Sequence, residues 1–170
     1  MTIRLRSLIR PVAAAALIAL SGCAASTQAA GPPSKGKPAP QWTEPTSTGG
    51  QLSSASLRGK PVYLNFFASW CPPCNEEAPS VNALQKKYAP KGLVVVGVDV
   101  QENAAKAEGF RKQHNLSYAT VVDSGTLRDA YSVNGLPVHV FIDRDGVVQN
   151  ITIGEMSPSQ IENQIQRVVR

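Results

Sequence analysis

Two short runs of almost unbroken apolar residues, PVYLNFFA (Pro61 to Ala68) and GLVVVGVDV (Gly92 to Val100), stand out from the polar background of the chain. Their length and their content of Val, Tyr and Phe predict strands buried on both faces. Between them Val81, Leu84 and Tyr88 fall at helical spacing, behind Glu76 and Glu77, which the pattern places as acids in the first helical turn. The segment reads as strand, helix, strand. A second helix is expected over ENAAKAEGFRKQHN, with Ala104, Ala107 and Phe110 on its apolar face, Gly109 weakening it and Asn115 closing it. TLRDAYSV reads as a shorter helix with Leu127, Ala130 and Tyr131 on its apolar side.

VHVFIDRDGVVQNITI is expected to be a hairpin turning at Asp143-Arg144-Asp145-Gly146, where Gly146 is free to take a positive φ. Alternation puts Val138, Val140 and Ile142 on one face and His139 and Phe141 on the other, so His139 should lie packed or hydrogen-bonded under a helix. SPSQIENQIQRVV closes the chain as a helix, with Ser157 as N-cap, Pro158 at its first position and Gln160 completing a capping box. Its buried stripe is Ile161, Ile165, Val168 and Val169. This order of elements predicts one α/β domain over residues 41–170, a mixed central β-sheet flanked by helices on both faces.

The first 22 residues follow a different rule. Arg4, Arg6 and Arg10 precede PVAAAALIAL, an apolar run of about ten residues that is too short for a mature spanning helix. Residues 1–22 therefore read as a secretory signal peptide. Leu20-Ser21-Gly22-Cys23 resembles the lipobox of bacterial lipoproteins, which implies that Cys23 becomes a lipidated first residue holding the chain to a membrane. From Ala24 to Pro40 the composition is that of a flexible linker, so residues 23–40 are expected to be anchor and tether. The protein is accordingly expected outside the cytoplasm, on a membrane surface.

Charge changes little in this picture. Without Arg4, Arg6 and Arg10, the 17 basic residues fall to 14 against 12 acids, and no basic cluster interleaved with aromatics argues for nucleic acid. The cysteine count changes more. With Cys23 acylated, the three cysteines reduce to one pair, Cys71 and Cys74, in a compartment where disulfides persist.

That pair lies in FFASWCPPCNEEAP, at the expected carboxyl end of a strand, where open α/β sheets place their sites. Two thiols at this spacing can hold a metal, form a staple or exchange electrons. With the helix starting near Pro72, Cys71 falls at a helix N-terminus, where unpaired N–H groups and the macrodipole favour thiolate over thiol. Pro72 suits the first turn, and Pro73 removes a second donor from the neighbourhood of the sulfur. Cys74, about one turn on, is placed to attack a mixed disulfide formed at Cys71. A staple closing so few residues would stabilise little. A copper or zinc site would have to borrow His114 or His139, neither paired with another ligand at a metal-binding spacing.

WCPPC with Glu77 and Pro79 following, LNFFAS before it, and Tyr131-Ser-Val133-Asn-Gly135-Leu-Pro137 downstream together resemble the TlpA/ResA branch of the thioredoxin superfamily, the extracytoplasmic thiol-disulfide oxidoreductases. The resemblance implies a thioredoxin-like fold and a Cys71–Cys74 redox disulfide, with no cofactor beyond the dithiol. It also implies a cis Pro137 facing the pair and a substrate backbone held at Leu136. Glu77 resembles the family's active-site glutamate, and Trp70 its exposed aromatic; with Pro72 and Pro73, Trp70 is expected to meet substrate. The implied partners are protein disulfides, apocytochrome c among them, and a membrane thiol that supplies electrons. Val138-His139 departs from the small hydroxyl residues common after that proline. His114 is expected merely to meet a helix C-terminus, and Asp99, ending a strand, to contact solvent or a partner.

Overall fold

The computed structural model describes residues 33–170; the expected signal segment 1–22, the Cys23 anchor and the linker through residue 32 lie outside the described residues. A small antiparallel hairpin pairs β1 (Thr43–Pro45) with β2 (Gln51–Ser53). The main sheet holds β3 (Val62–Phe67), β4 (Val94–Val100), β5 (Ala119–Asp123), β6 (Val138–Ile142) and β7 (Val148–Ile153), in spatial order β5-β4-β3-β6-β7. β3, β4 and β5 run parallel, and β6 and β7 are antiparallel additions on the other side of β3. The helices are α1 (Pro72–Tyr88), α2 (Ala104–Gln113), α3 (Thr126–Ala130) and α4 (Pro158–Val168). Among the described residues no helix is long and apolar enough to cross a membrane.

β3 is the central strand, and all six of its residues are buried, which accounts for a run that is apolar except at Asn65. Its two faces feed two cores. Tyr63 and Phe67 pack with Val81 and Leu84 of α1 and with Ile161 and Ile165 of α4. Leu64 and Phe66 pack on the opposite face with Trp42, Leu57, Leu127 and Tyr131. Burial of each such large side chain contributes about 1.5–3 kcal/mol, so both faces must be covered for the strand to be stable. Gly97 of β4 lets the rings close: a Cβ there would stand 3.0 Å from a Phe67 ring carbon and 3.0 Å from the Thr120 methyl. Phe67 in turn stacks on Phe110 of α2 at 4.3 Å between ring centroids.

The local punctuation acts as the sequence predicts. Gly146 turns the β6–β7 hairpin at φ 77°, Asn115 ends α2 at φ 49°, and Ser157 and Gln160 form a reciprocal capping box at α4. Several expectations need correction. α1 starts at Pro72, so Glu76 and Glu77 fall in its second turn, and its first turn carries no acid. Ala104 is exposed, leaving Ala107 and Phe110 as the buried residues of α2. The end of the expected linker belongs to the fold: the Gly36 and Ala39 N–H groups donate to Val148 and Gly146 carbonyls at 2.8 Å, and Pro38 bridges Val147. The β1–β2 hairpin and the edge strand β5 have no counterpart in the sequence reading.

Candidate active site

β3 ends at Phe67, at the carboxyl edge of the sheet, and the chain turns through Ala68, Ser69 and Trp70 into α1. Cys71 is the N-cap, in extended conformation, and its Sγ accepts a hydrogen bond from the Cys74 N–H at 3.3 Å. Pro72 and Pro73 have no N–H, so Cys74 supplies the first helical amide able to face the sulfur. Cys71 and Cys74 are joined as a disulfide. Both are nearly covered, at 3% and 4% exposure, whereas Trp70 beside them is 61% exposed. Access is through a groove of about 800 Å³ lined by Trp70, Cys71, Pro72, Pro73 and Leu136, with Val133 in its wall. The Leu136–Pro137 peptide is cis, as the resemblance implied.

Two polar braces hold the turn. Asn75 donates through Nδ2 to the Ser69 and Cys71 carbonyls at 3.0 and 2.9 Å, while its Oδ1 lies 2.9 Å from His114 Nε2. His114 therefore does more than meet a helix end: from the α2 C-cap it reaches the redox turn. Burial lowers its pKa below the usual value, and because Asn75 Nδ2 already donates to two carbonyls, it is Asn75 Oδ1 that accepts from the ring. The second brace is Glu102, which accepts from both the N–H and the hydroxyl of Ser69. Asp99, one residue before the end of β4, is fully buried, and neither of its oxygens has a hydrogen-bond partner. Burial, helped by Glu102, lifts its pKa to about 8, so it meets neither solvent nor a partner but sits as a neutral acid behind the turn.

Glu77 lies about one helical turn after Cys74 and is 5% exposed. Its Oε1 accepts from the Met156 N–H, and its Oε2 stands 3.4 Å from His139 Nε2. Burial raises its pKa to about 7; Glu155 adds to the rise and the Met156 N–H opposes it. His139 is pushed the other way by burial, to about 4. At neutral pH the imidazole is uncharged, so its approach to Glu77 is a contact between a carboxyl and a neutral ring rather than an ion pair.

Of the residues picked out from the sequence, Trp70, Cys71, Pro72, Pro73 and Leu136 meet in one groove, with Cys74, Glu77 and Pro137 buried at the same site. Tyr63, Asn75 and Glu102 were missed. Glu102 lies just past the carboxyl end of the strand beside β3, a position that itself signals a site in a parallel sheet. Tyr63 carried no signal beyond that of an aromatic in a buried strand. Among the described residues no three His, Cys, Asp or Glu side chains gather as a metal would require.

A mixed sheet that presents a CxxC pair at the first turn of a helix, beside a cis-proline loop, defines the class of thioredoxin-like thiol-disulfide oxidoreductases. The chain belongs to the Redoxin family, whose profile matches residues 34–165. It is 37% identical over 134 residues to a thiol-disulfide oxidoreductase ResA of Bacillus cereus, covering 78% of each chain. A thiol:disulfide interchange protein of the thioredoxin family from Chlorobium tepidum TLS superposes with a TM-score of 0.74 at 30% identity, over 81% of this chain and 99% of that one. A secreted disulfide oxidoreductase of Mycobacterium tuberculosis, homologous to DsbE of E. coli, superposes at 0.67 with 30% identity, over 75% and 96%. With its Cys71–Cys74 disulfide at the first turn of α1, the chain is a thiol-disulfide oxidoreductase.

Proposed function

We propose that this enzyme is tethered outside the cytoplasm through a lipidated Cys23 and reduces disulfides in substrate proteins. The observation that carries the redox assignment is the Cys74 N–H directed at Cys71 Sγ from a helix N-terminus. A donor and a dipole end at that sulfur favour a thiolate, the nucleophile of disulfide exchange. In the reduced enzyme, Cys71 attacks a substrate disulfide, forming a mixed disulfide and releasing one substrate thiolate. Cys74 then loses its proton and attacks Cys71 Sγ, releasing the second substrate thiolate and closing the Cys71–Cys74 disulfide. Two electrons and two protons pass to the substrate.

Glu77, buried and titrating at about 7, suits the proton transfer at Cys74. Trp70, Pro72, Pro73 and Leu136, which line the groove, meet the substrate backbone, with Pro137 holding the loop. The dithiol is the whole redox centre, with no further cofactor, and a membrane thiol donor recharges it. Apocytochrome c, with a cysteine pair that must be reduced before haem attachment, is the substrate class we favour, as the resemblance of the motifs to the TlpA/ResA branch implies.

Copper carriage is the weaker reading, because the histidines it needs are engaged elsewhere: His139 with Tyr63 and Gly154, His114 with Asn75. The test is trapping. Cys74→Ala expressed in the native host should accumulate mixed disulfides at Cys71, with identifiable partners that disappear on reduction. No captured protein, together with no disulfide reductase activity in vitro, would overturn the proposal. Palmitate labelling of the wild-type chain but not of Cys23→Ser tests the anchor separately.

A further inference from the structure

Beneath the disulfide lies a line of buried polar groups that the exchange steps above leave unused. Tyr63 Oη of β3 stands 2.7 Å from His139 Nδ1 of β6. His139 Nε2 stands 3.2 Å from the Gly154 carbonyl oxygen and 3.4 Å from Glu77 Oε2 of α1. Tyr63 and His139 have no exposed surface, and Glu77 Oε2 has no hydrogen-bond partner of its own. The His139 ring thus links β3 and the Gly154 loop to a carboxyl oxygen of α1.

The neighbours decide where the protons stand. The Gly154 carbonyl can only accept, so the ring nitrogen facing it, Nε2, carries the hydrogen. Nδ1 then has a lone pair and accepts from the Tyr63 hydroxyl. The Nε2–H bonds the Gly154 carbonyl, with Glu77 Oε2 3.4 Å from the same nitrogen, so an ionised Glu77 has the Met156 N–H as donor at Oε1 and the dipole of this imidazole N–H beside Oε2. The other titratable groups around Glu77 offer no cation. They are the cysteine pair at the head of α1, Glu155 in the loop before α4, and Tyr63, with Tyr118 behind it. The imidazole N–H is therefore the side-chain dipole that favours ionisation against burial and Glu155.

We infer that His139, held in one tautomer by Tyr63 and Gly154, is a positioning residue for Glu77, orienting its carboxyl and setting the pH range over which that carboxyl carries a proton. The inference rests on the role proposed for Glu77 above. It also gives a purpose to the departure at Val138-His139 from the family's small hydroxyl residues: a larger ring spans from β3 to the α1 acid, where a hydroxyl on β6 would be too short to touch both.

The test compares rates of exchange between the reduced full-length protein and a small aromatic disulfide from pH 5 to 9. In the wild type an inflection is expected that Glu77→Gln removes. His139→Leu should move it alkaline by about half a unit, the effect of losing a nearby N–H dipole, smaller than that of a full hydrogen bond to an ionised group. His139→Gln, which returns an N–H near the same place, should bring it back toward the wild-type position. Tyr63→Phe should shift it in the same direction as His139→Leu but by less, because the ring then keeps its Gly154 partner and loses the hydroxyl that fixes its orientation beside Glu77. The phenyl ring keeps its place against Phe141, 4.6 Å away between centroids, so this variant decides the matter even where His139→Leu fails to fold. An inflection that Glu77→Gln abolishes but Tyr63→Phe and His139→Leu leave in place would overturn the positioning role while sparing Glu77. A profile unchanged by Glu77→Gln would overturn both.

Discussion

Glu102 holds Ser69 with both carboxylate oxygens: Oε2 accepts from the Ser69 backbone N–H at 2.5 Å and Oε1 from its hydroxyl at 2.6 Å. Ser69 stands two residues before Cys71, and Glu102 two residues past β4, so the pair clamps together the carboxyl ends of two neighbouring parallel strands at the redox turn. Glu102→Ala should cost about 1–3 kcal/mol, because it frees two donors at once, and should slow disulfide exchange. Ser69→Ala, which keeps the N–H bond, should cost less. Thermal unfolding and exchange rates of the two variants check the order; equal losses would mean that the hydroxyl alone matters.

Asp99 should make the protein less stable as pH rises. Its pKa is about 8 folded against an ordinary 3.8, so the folded state binds the extra proton between those values. The stability linked to that proton is full below about pH 4, declines through the interval and is lost above about pH 8. Asp99→Asn removes the titration and should raise the midpoint of urea unfolding more at pH 8 than at pH 5. Glu77, at about 7, contributes a residual slope of the same sign. A midpoint gain equal at both pH values would show that Asp99 is already ionised when folded.

Trp70 tests whether the groove is read correctly. It is 61% exposed, so Trp70→Ala should change stability by no more than about 0.5 kcal/mol. The Michaelis constant for a protein disulfide should rise several-fold while the rate with a small disulfide holds. Parallel loss with both substrates would instead place Trp70 in support of the cysteine turn.

Gly97→Ala should destabilise the protein by about 1–3 kcal/mol, since the new methyl meets Phe67 and Thr120 at 3.0 Å inside a packed core. Displacing Phe67, the last residue of β3, should also slow exchange at the turn it feeds. Chemical denaturation checks the first effect and exchange kinetics the second.

The elements most readily read from sequence were those with internal signals. β3 and β4 show nearly unbroken apolar runs, α4 a periodic stripe and a capping box, and the β6–β7 hairpin a Gly146 turn. β5 was missed because ATVVD is short, and it becomes a strand by adding to β4, a partner far off in sequence. The β1–β2 hairpin, of three residues a side, carries no run long enough to register. At the site, the cysteines, Trp70, Glu77 and Pro137 stand in recognisable motifs. Asn75, Glu102 and Tyr63 belong to none, and their roles arise from contacts across elements.

The strand–helix–strand unit around the cysteines, the placing of Cys71 at a helix start and the withdrawal of two amides by Pro72 and Pro73 were determined by the sequence alone, since each is a property of a few consecutive residues. The ionisation of the site was decided only by the tertiary structure. Glu76 and Glu77 are neighbours of identical chemistry, yet Glu76 is exposed while Glu77 is shut in against Met156 and His139. Asp99 and Glu102, three residues apart, divide in the same way, one a neutral buried acid and the other a clamp on Ser69. A carboxyl's proton affinity depends on the water it has lost and the donors that face it, and here those come from strands and loops distant in sequence.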